Sequence, residues 1–281
     1  MAADADSRSG EELGAYGLRI AGLRGVEHLL VPADPSWPGL EVVAERGPIE
    51  NVEEHVDDEH ATLALLGAVA DVDRSRGRVV FTFDSELGPN ALVHPYLAPI
   101  AGLMSHWHGR ESLHAGAFVV GGGAWGLLAE RGGGKSSTLA RLALDGVPIV
   151  ADDVLVLDGD TAFAGPRAID LRRGPAQTLG VGEPLGVLGR RERWRLTLAP
   201  SDNAFPLRGW VFLSWGDELS FRRVPPGSRL QRLAVERTIR LAPRDPAVLL
   251  RLAALPAFEL RRPRGWSSLE ESAKLLLASL P

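Results

Sequence analysis

The segment from residue 124 to residue 153 constrains the fold of this chain more than any other. The apolar run Ala124-Trp125-Gly126-Leu127-Leu128-Ala129 leads into Arg131-Gly132-Gly133-Gly134-Lys135-Ser136-Ser137. Ser136 to Leu144 then carries apolar residues at helical spacing, with Leu139 and Leu142 at i and i+3 and Ala140 and Leu144 at i and i+4. Gly146 supplies a stop, and Val147 to Ala151 reads as a buried strand ending in the doublet Asp152-Asp153. Pro148 fits only the start of that strand, because it has no N–H to give a sheet. The order strand, glycine loop, helix, strand gathers backbone N–H groups and a helix N-terminus around an anion.

The flanks predict a mixed sheet with helices, an α/β fold that is not purely parallel. Ala117 to Val120 and Ala124 to Ala129 read as strands joined through Gly121-Gly122-Gly123. Val154 to Leu157 and Thr161 to Ala164 form a hairpin about Asp158-Gly159-Asp160. Farther on, Pro246 to Leu255 and Leu269 to Leu280 read as helices, and Phe258-Glu259-Leu260 as a short edge strand. Upstream, Leu18 to Val31 reads as short strands and a turn, punctuated by Pro32 to Pro38. Glu41 to Val43 and Val79 to Phe83 add strands, Thr62 to Leu66 is ambiguous, and Leu92 to His106 is helical. A small mixed or β-rich accessory or substrate-recruiting domain is therefore expected over residues 1–105, with a loose tail over 1–10. A catalytic domain is expected over 106–281, the boundary falling somewhere in 95–112.

Composition limits what these domains can be. With 45% apolar and 24% charged residues the 281-residue chain can bury a substantial core. A formal net charge of −5 argues against a generally nucleic-acid-binding surface. There are no cysteines, so disulfides and thiolate metal sites are excluded. Met1 to Gly10 lacks the basic start and apolar stretch of a secretory signal, and no apolar run reaches the length of a membrane span. A cytoplasmic protein is expected, with neither nucleic acid nor membrane among its partners.

The glycine loop has a specific chemistry. Lys135 is one of two lysines in an arginine-rich chain, and it can place a compact charge beside the β- and γ-phosphates of a nucleotide. Ser136, in the first helical turn, offers a hydroxyl to magnesium, and Gly132, Gly133 and Gly134 let the loop N–H groups turn inward. Ser137 follows on the same helical turn. Two readings of Arg131 stay open, neutralisation of developing phosphate charge or a place on the surface. The phosphate-loop pattern G-x-x-x-x-G-K-[ST] is met in its second half only, because Ala129 stands where the first glycine belongs. Asp152 and Asp153, seventeen and eighteen residues beyond Lys135, leave their strand in different directions, so one can face a metal and the other an acceptor.

Ser112-Leu113-His114-Ala115-Gly116, the loop ending Gly134-Lys135-Ser136, and Val150-Ala151-Asp152-Asp153 together resemble the catalytic domain of bacterial HPr kinase/phosphorylase and its smaller relatives. The resemblance covers about residues 112–175. It implies a P-loop kinase core of the HPr kinase/PEP carboxykinase-like type, using ATP and Mg2+. It makes Asp152 the base toward a serine hydroxyl, Asp153 its magnesium-associated neighbour, and Lys135 and Ser136 the phosphate lysine and metal-binding hydroxyl. His114 matches the family histidine and is expected to orient a carboxylate, tune its proton affinity or shuttle a proton. Ile169-Asp170-Leu171-Arg172 is similar to an acidic-apolar-arginine element, in which Asp170 would help to hold metal. The family's motifs for recognising the HPr phosphocarrier and for phosphorolysis are missing. The expected acceptor is therefore a serine of some other peptide or small protein, such as a biosynthetic precursor peptide, and the expected assembly a homo-oligomer. The alternatives are a nucleotide-binding regulatory module without transfer, and a P-loop ATP hydrolase.

Two histidine groups compete for attention. His106-Trp107-His108 with His114 nearby suggests zinc, but no carboxylate follows at convincing spacing. His55-Val56-Asp57-Asp58-Glu59-His60 reads as an acidic solvent-facing turn. Trp107 and Trp125 suit a core or a base-stacking platform equally well.

Overall fold

The computed structural model describes residues 12–49, 52–84, 88–188 and 191–281; the expected tail at 1–10 lies outside them. Two large sheets and one small one account for the strands. The first sheet has eight strands drawn from residues 13–83, mixed parallel and antiparallel. In it, Arg78–Phe83 alternates buried and half-exposed residues, the period-two pattern of a sheet packed on one face. The ambiguous segment at 62–66 falls within strand His60–Leu65 and the turn that follows it.

The second sheet holds nine strands, in the order Ile149–Ala151, Gly116–Val120, Gly123–Ala129, Ala204–Trp215, Thr161–Phe163, Leu155–Asp158, Glu111–Leu113, with Ala257–Arg262 beside the end of Ala204–Trp215 and Ser220–Arg223 outside it. Gly123–Ala129 runs parallel to Ala204–Trp215, which runs parallel to Ala257–Arg262; the remaining pairs are antiparallel. The strand expected at an edge, Phe258 to Leu260, is thus internal, and Ser220–Arg223 takes the edge.

The strand before the glycine loop is covered on both faces. Ala124 and Leu128 join an apolar cluster on one face, while Trp125, Leu127 and Ala129 join a separate cluster on the other. Gly126 lies between them, and a Cβ there would collide with the Trp210 indole of the neighbouring strand. The first cluster also takes in helix Leu97–Trp107, buried along nearly its whole length, and the inner face of the first sheet. Tyr96 donates its hydroxyl to the Leu66 carbonyl at 2.6 Å, and Trp107 donates Nε1 to the Asp57 carbonyl at 2.8 Å. The second cluster packs helices Lys135–Leu144 and Ser267–Ser279 and the small antiparallel sheet Ala168–Leu171, Glu183–Leu188, Arg191–Thr197. Trp107 and Trp125 are therefore core residues, 3% and 1% exposed.

His106 and His108 lie at the end of helix Leu97–Trp107 and not on a strand, so they share no strand face with each other or with His114. His55, in the exposed strand His55–Val56, hydrogen-bonds Asp57 at 2.9 Å at the turn into strand His60–Leu65. Among the described residues, no helix is long and apolar enough to cross a membrane.

Candidate active site

Where strand Gly123–Ala129 ends, residues 130–134 cross to helix Lys135–Leu144 and line a cleft of about 830 Å³. Gly134 caps that helix at φ 86°, a conformation that an L side chain enters only with strain. A Cβ at Gly134 would also strike the Arg262 guanidinium, so two independent reasons put glycine here. No acidic residue occupies the first turn, leaving the positive helix end unneutralised toward the cleft.

Ala129 adopts no left-handed conformation, so its methyl group carries no backbone strain. It lies opposite Gly133, whose own Cβ would approach the Ala129 Cβ to 2.8 Å. The methyl missing from the loop at 133 makes room for the one present at 129. The departure from the glycine pattern thus costs the loop nothing in backbone geometry.

The expected residues converge in two pairs. Ser136 donates its hydroxyl to Asp152 Oδ1 at 3.1 Å, and Asp153 Oδ1 lies 3.3 Å from His114 Nδ1. Asp153 takes φ 72°, a left-handed turn that sends consecutive carboxylates different ways. Lys135, 8% exposed, anchors its ammonium on the His114 carbonyl at 3.0 Å. Burial lowers the lysine's pKa, against the opposing pull of Asp152, Asp153 and Glu236. His114 is likewise lowered, by burial first and by Lys135 second, so neutral imidazole is favoured. Asp152 moves the other way. Burial foremost, then the charge of Asp153, pushes its carboxyl up to about 7, although Lys135 and Ser136 favour the ionised form.

Asp170 lines the same cleft, but both of its oxygens accept from Arg195, Nε to Oδ1 at 2.7 Å and Nη2 to Oδ2 at 2.8 Å. Arg195 reaches on to Asn90, donating to its side-chain oxygen at 3.0 Å and its carbonyl at 3.2 Å. Among the described residues, no three His, Asp or Glu side chains gather as a metal cage. Magnesium needs none. It binds one or two protein oxygens and completes its shell with water and phosphate, a demand that the Ser136 hydroxyl and the aspartate doublet fit.

Several site residues were not found from the sequence. Arg262 is 3% exposed, stacks on Trp215 at 4.5 Å, and leaves Nε without a hydrogen-bond partner beside the loop. Tyr16 and His94 come from before residue 106. Burial and then the three carboxylates Asp153, Asp152 and Asp170 raise the Tyr16 pKa. His94 lines the cleft, and burial lowers its pKa against Asp170 and Asp153. No local spacing announces any of these: His94 and Arg262 reach the cleft from separate elements, and Tyr16 lies in a turn of the first sheet. Arg191-Glu192-Arg193-Trp194-Arg195 did carry a signal, an arginine at every second position of a strand.

No protein-family model matches the chain, and no curated protein matches it. Among solved structures, the HPr(Ser) kinase/phosphatase from Coxiella burnetii aligns over 59% of this chain and 93% of its own, at 10% identity and a TM-score of 0.30. An overlap that loose carries no assignment, and the functional case rests on the residues of the cleft.

Proposed function

We propose that this chain is an ATP-dependent kinase that phosphorylates a serine of a peptide or small protein. The observation that carries this reading is the meeting of the Gly134-Lys135-Ser136 loop with the Asp152-Asp153 doublet in one cleft, Ser136 donating to Asp152 at 3.1 Å. Lys135, the helix N-terminus and the loop N–H groups hold the donor phosphates, with Arg131 and Arg262 adding charge from either side. Magnesium, held between Ser136 and Asp153, would offset the phosphate charge. Asp152 takes the proton from the acceptor hydroxyl, and His114 fixes Asp153 beside it. Asp170 is proposed to anchor the cleft wall through Arg195, its oxygens being spent on that pair. Residues 1–105 are proposed as the accessory part, supplying Tyr16, Asn90 and His94 from behind the site.

Incubation with γ-labelled ATP and candidate serine peptides, read by mass spectrometry, tests the reading. ATP binding without any phosphopeptide would instead favour a regulatory module. Phosphate release without an acceptor, abolished in Asp152→Asn, would favour a hydrolase.

Asp152 also predicts a pH dependence. A base must be deprotonated, so kcat/KM is expected to rise about tenfold per pH unit below about 7 and level off above it. Stability carries the opposite sign. The folded state holds this proton more tightly than the unfolded chain, so the contribution is full below 3.8 and is lost as pH rises through about 7. Tm of the wild type should therefore fall across that window relative to Asp152→Asn, and parallel Tm curves would refute the shift.

Arg262→Gln keeps a similar length but removes the charge facing the loop. ATP binding is expected to weaken about tenfold, measured by calorimetry, in line with the worth of one charge-assisted hydrogen bond. Unchanged affinity would remove Arg262 from the phosphate site.

A further inference from the structure

In strand Arg191–Thr197, residues 191, 193 and 195 share one face, while Trp194 and Leu196 turn toward the apolar cluster. The register sets Asp170 opposite Arg195 and Leu171 opposite Trp194, and Arg172 follows, reaching the level of Arg193. Asp170 neutralises Arg195, the innermost member of the row. The outer members have no such partner. Arg172, Arg191 and Arg193 make no ion pair with any described residue, although all three line the cleft that holds Asp152. The Arg193 Nε is buried without a hydrogen-bond partner. Arg191 is held below its ordinary pKa range by the charges of Arg172 and Arg131, which marks a cluster of like charges with no anion between them. The cost of such a cluster is local like-charge repulsion, and its charges come in addition to Lys135, Arg131, Arg262 and the helix end, which already face the phosphates of one nucleotide.

We infer that Arg172, Arg191 and Arg193 form the docking row for the acceptor, and that the acceptor is an acidic peptide segment whose serine is flanked by Asp or Glu side chains at alternate positions. The inference rests on the kinase reading above and deepens it. The geometry favours an extended segment over a single small anion. Alternate residues of a strand stand roughly 7 Å apart, and the same spacing recurs between alternate side chains of an extended peptide. Arg191 and Arg193 can then meet two carboxylates of one chain, each through a forked pair of N–H donors.

Three synthetic peptides serve as probes, each with one serine and with Glu, Gln or Lys at the alternate flanking positions. Binding is followed by fluorescence anisotropy on the full chain, with and without a saturating non-hydrolysable ATP analogue. The Glu peptide is expected to bind at least about tenfold tighter than the Gln peptide, to lose that margin at high salt, and to stay bound beside the analogue. Arg191→Gln/Arg193→Gln should erase the preference, and Arg191→Glu/Arg193→Glu should transfer it to the Lys peptide, a gain that misfolding cannot produce. Equal binding of the three peptides by the wild type would overturn the inference. So would competitive displacement of the Glu peptide by the analogue, which would assign the arginines to the nucleotide. ATP binding and phosphate transfer by the wild type are measured in parallel. Their absence beside a retained Glu preference would strike the kinase reading and leave the acidic-peptide surface standing.

Discussion

Asp152→Asn is expected to lower phosphoryl transfer about 10²- to 10⁴-fold while the protein still folds and still binds ATP. The range is the usual contribution of a positioned general base. The side chain keeps its shape, and the Asn amide oxygen can still accept the Ser136 hydroxyl now 3.1 Å away. What disappears is the group whose pKa lies near the working pH. Asp153→Asn is the necessary comparison, because the pairing observed permits a second arrangement. Ser136 touches Asp152, whereas His114 touches Asp153, so the cation could sit on the Asp152 side with Asp153 and His114 as the base pair. The two arrangements differ in what each variant does. With Asp152 as base, Asp152→Asn loses kcat at every magnesium concentration, and Asp153→Asn recovers as magnesium is raised. The reverse pattern exchanges their roles. Full activity in Asp152→Asn removes it from the chemistry altogether.

Arg195→Met should have the largest effect on stability, about 3–5 kcal/mol, because it leaves the Asp170 carboxylate buried with no counter-charge. Side-chain exposures of 4% for Arg195 and 2% for Asp170 leave solvent almost no access to compensate. The same substitution releases Asn90, so the tie between the first sheet's C-terminal connection and the small sheet loosens too. Urea denaturation is the measurement, with the midpoint falling at unchanged slope. Adding Asp170→Leu to Arg195→Met removes the orphaned charge and should recover much of the loss. A single-variant cost below about 1 kcal/mol would show that the pair is solvated in solution.

Much of the second sheet was legible in order. The hairpin at 117–129, the glycine loop, the helix after it and the hairpin at 155–163 all follow from local periodicity and turn residues, and each lies where its pattern placed it. Local pattern could not give strand neighbours. Phe258 to Leu260 read as an edge and proved internal, because pairing is decided by segments far apart in sequence. Leu92 to His106 read as helical, and helix Leu97–Trp107 carries His106 in its last turn, with His108 as its cap.

The site divides along the same line. By itself the sequence determined the parts contributed by one continuous stretch, the Gly132-Gly133-Gly134-Lys135-Ser136 turn and the Asp152-Asp153 doublet, since spacing and backbone preference act over a few residues. Only the tertiary structure decided which carboxylate faces Ser136 and which faces His114, that Asp170 is spent on Arg195, and that Arg262 stacks on Trp215 against the loop. It also decided what Ala129 means. In the sequence that residue is a missing glycine; in the fold its methyl occupies the space that Gly133 leaves free. The physical reason is common to all of these. Ion pairing, burial and close packing depend on distances through space, and those exist only once both sheets and their helices have come together.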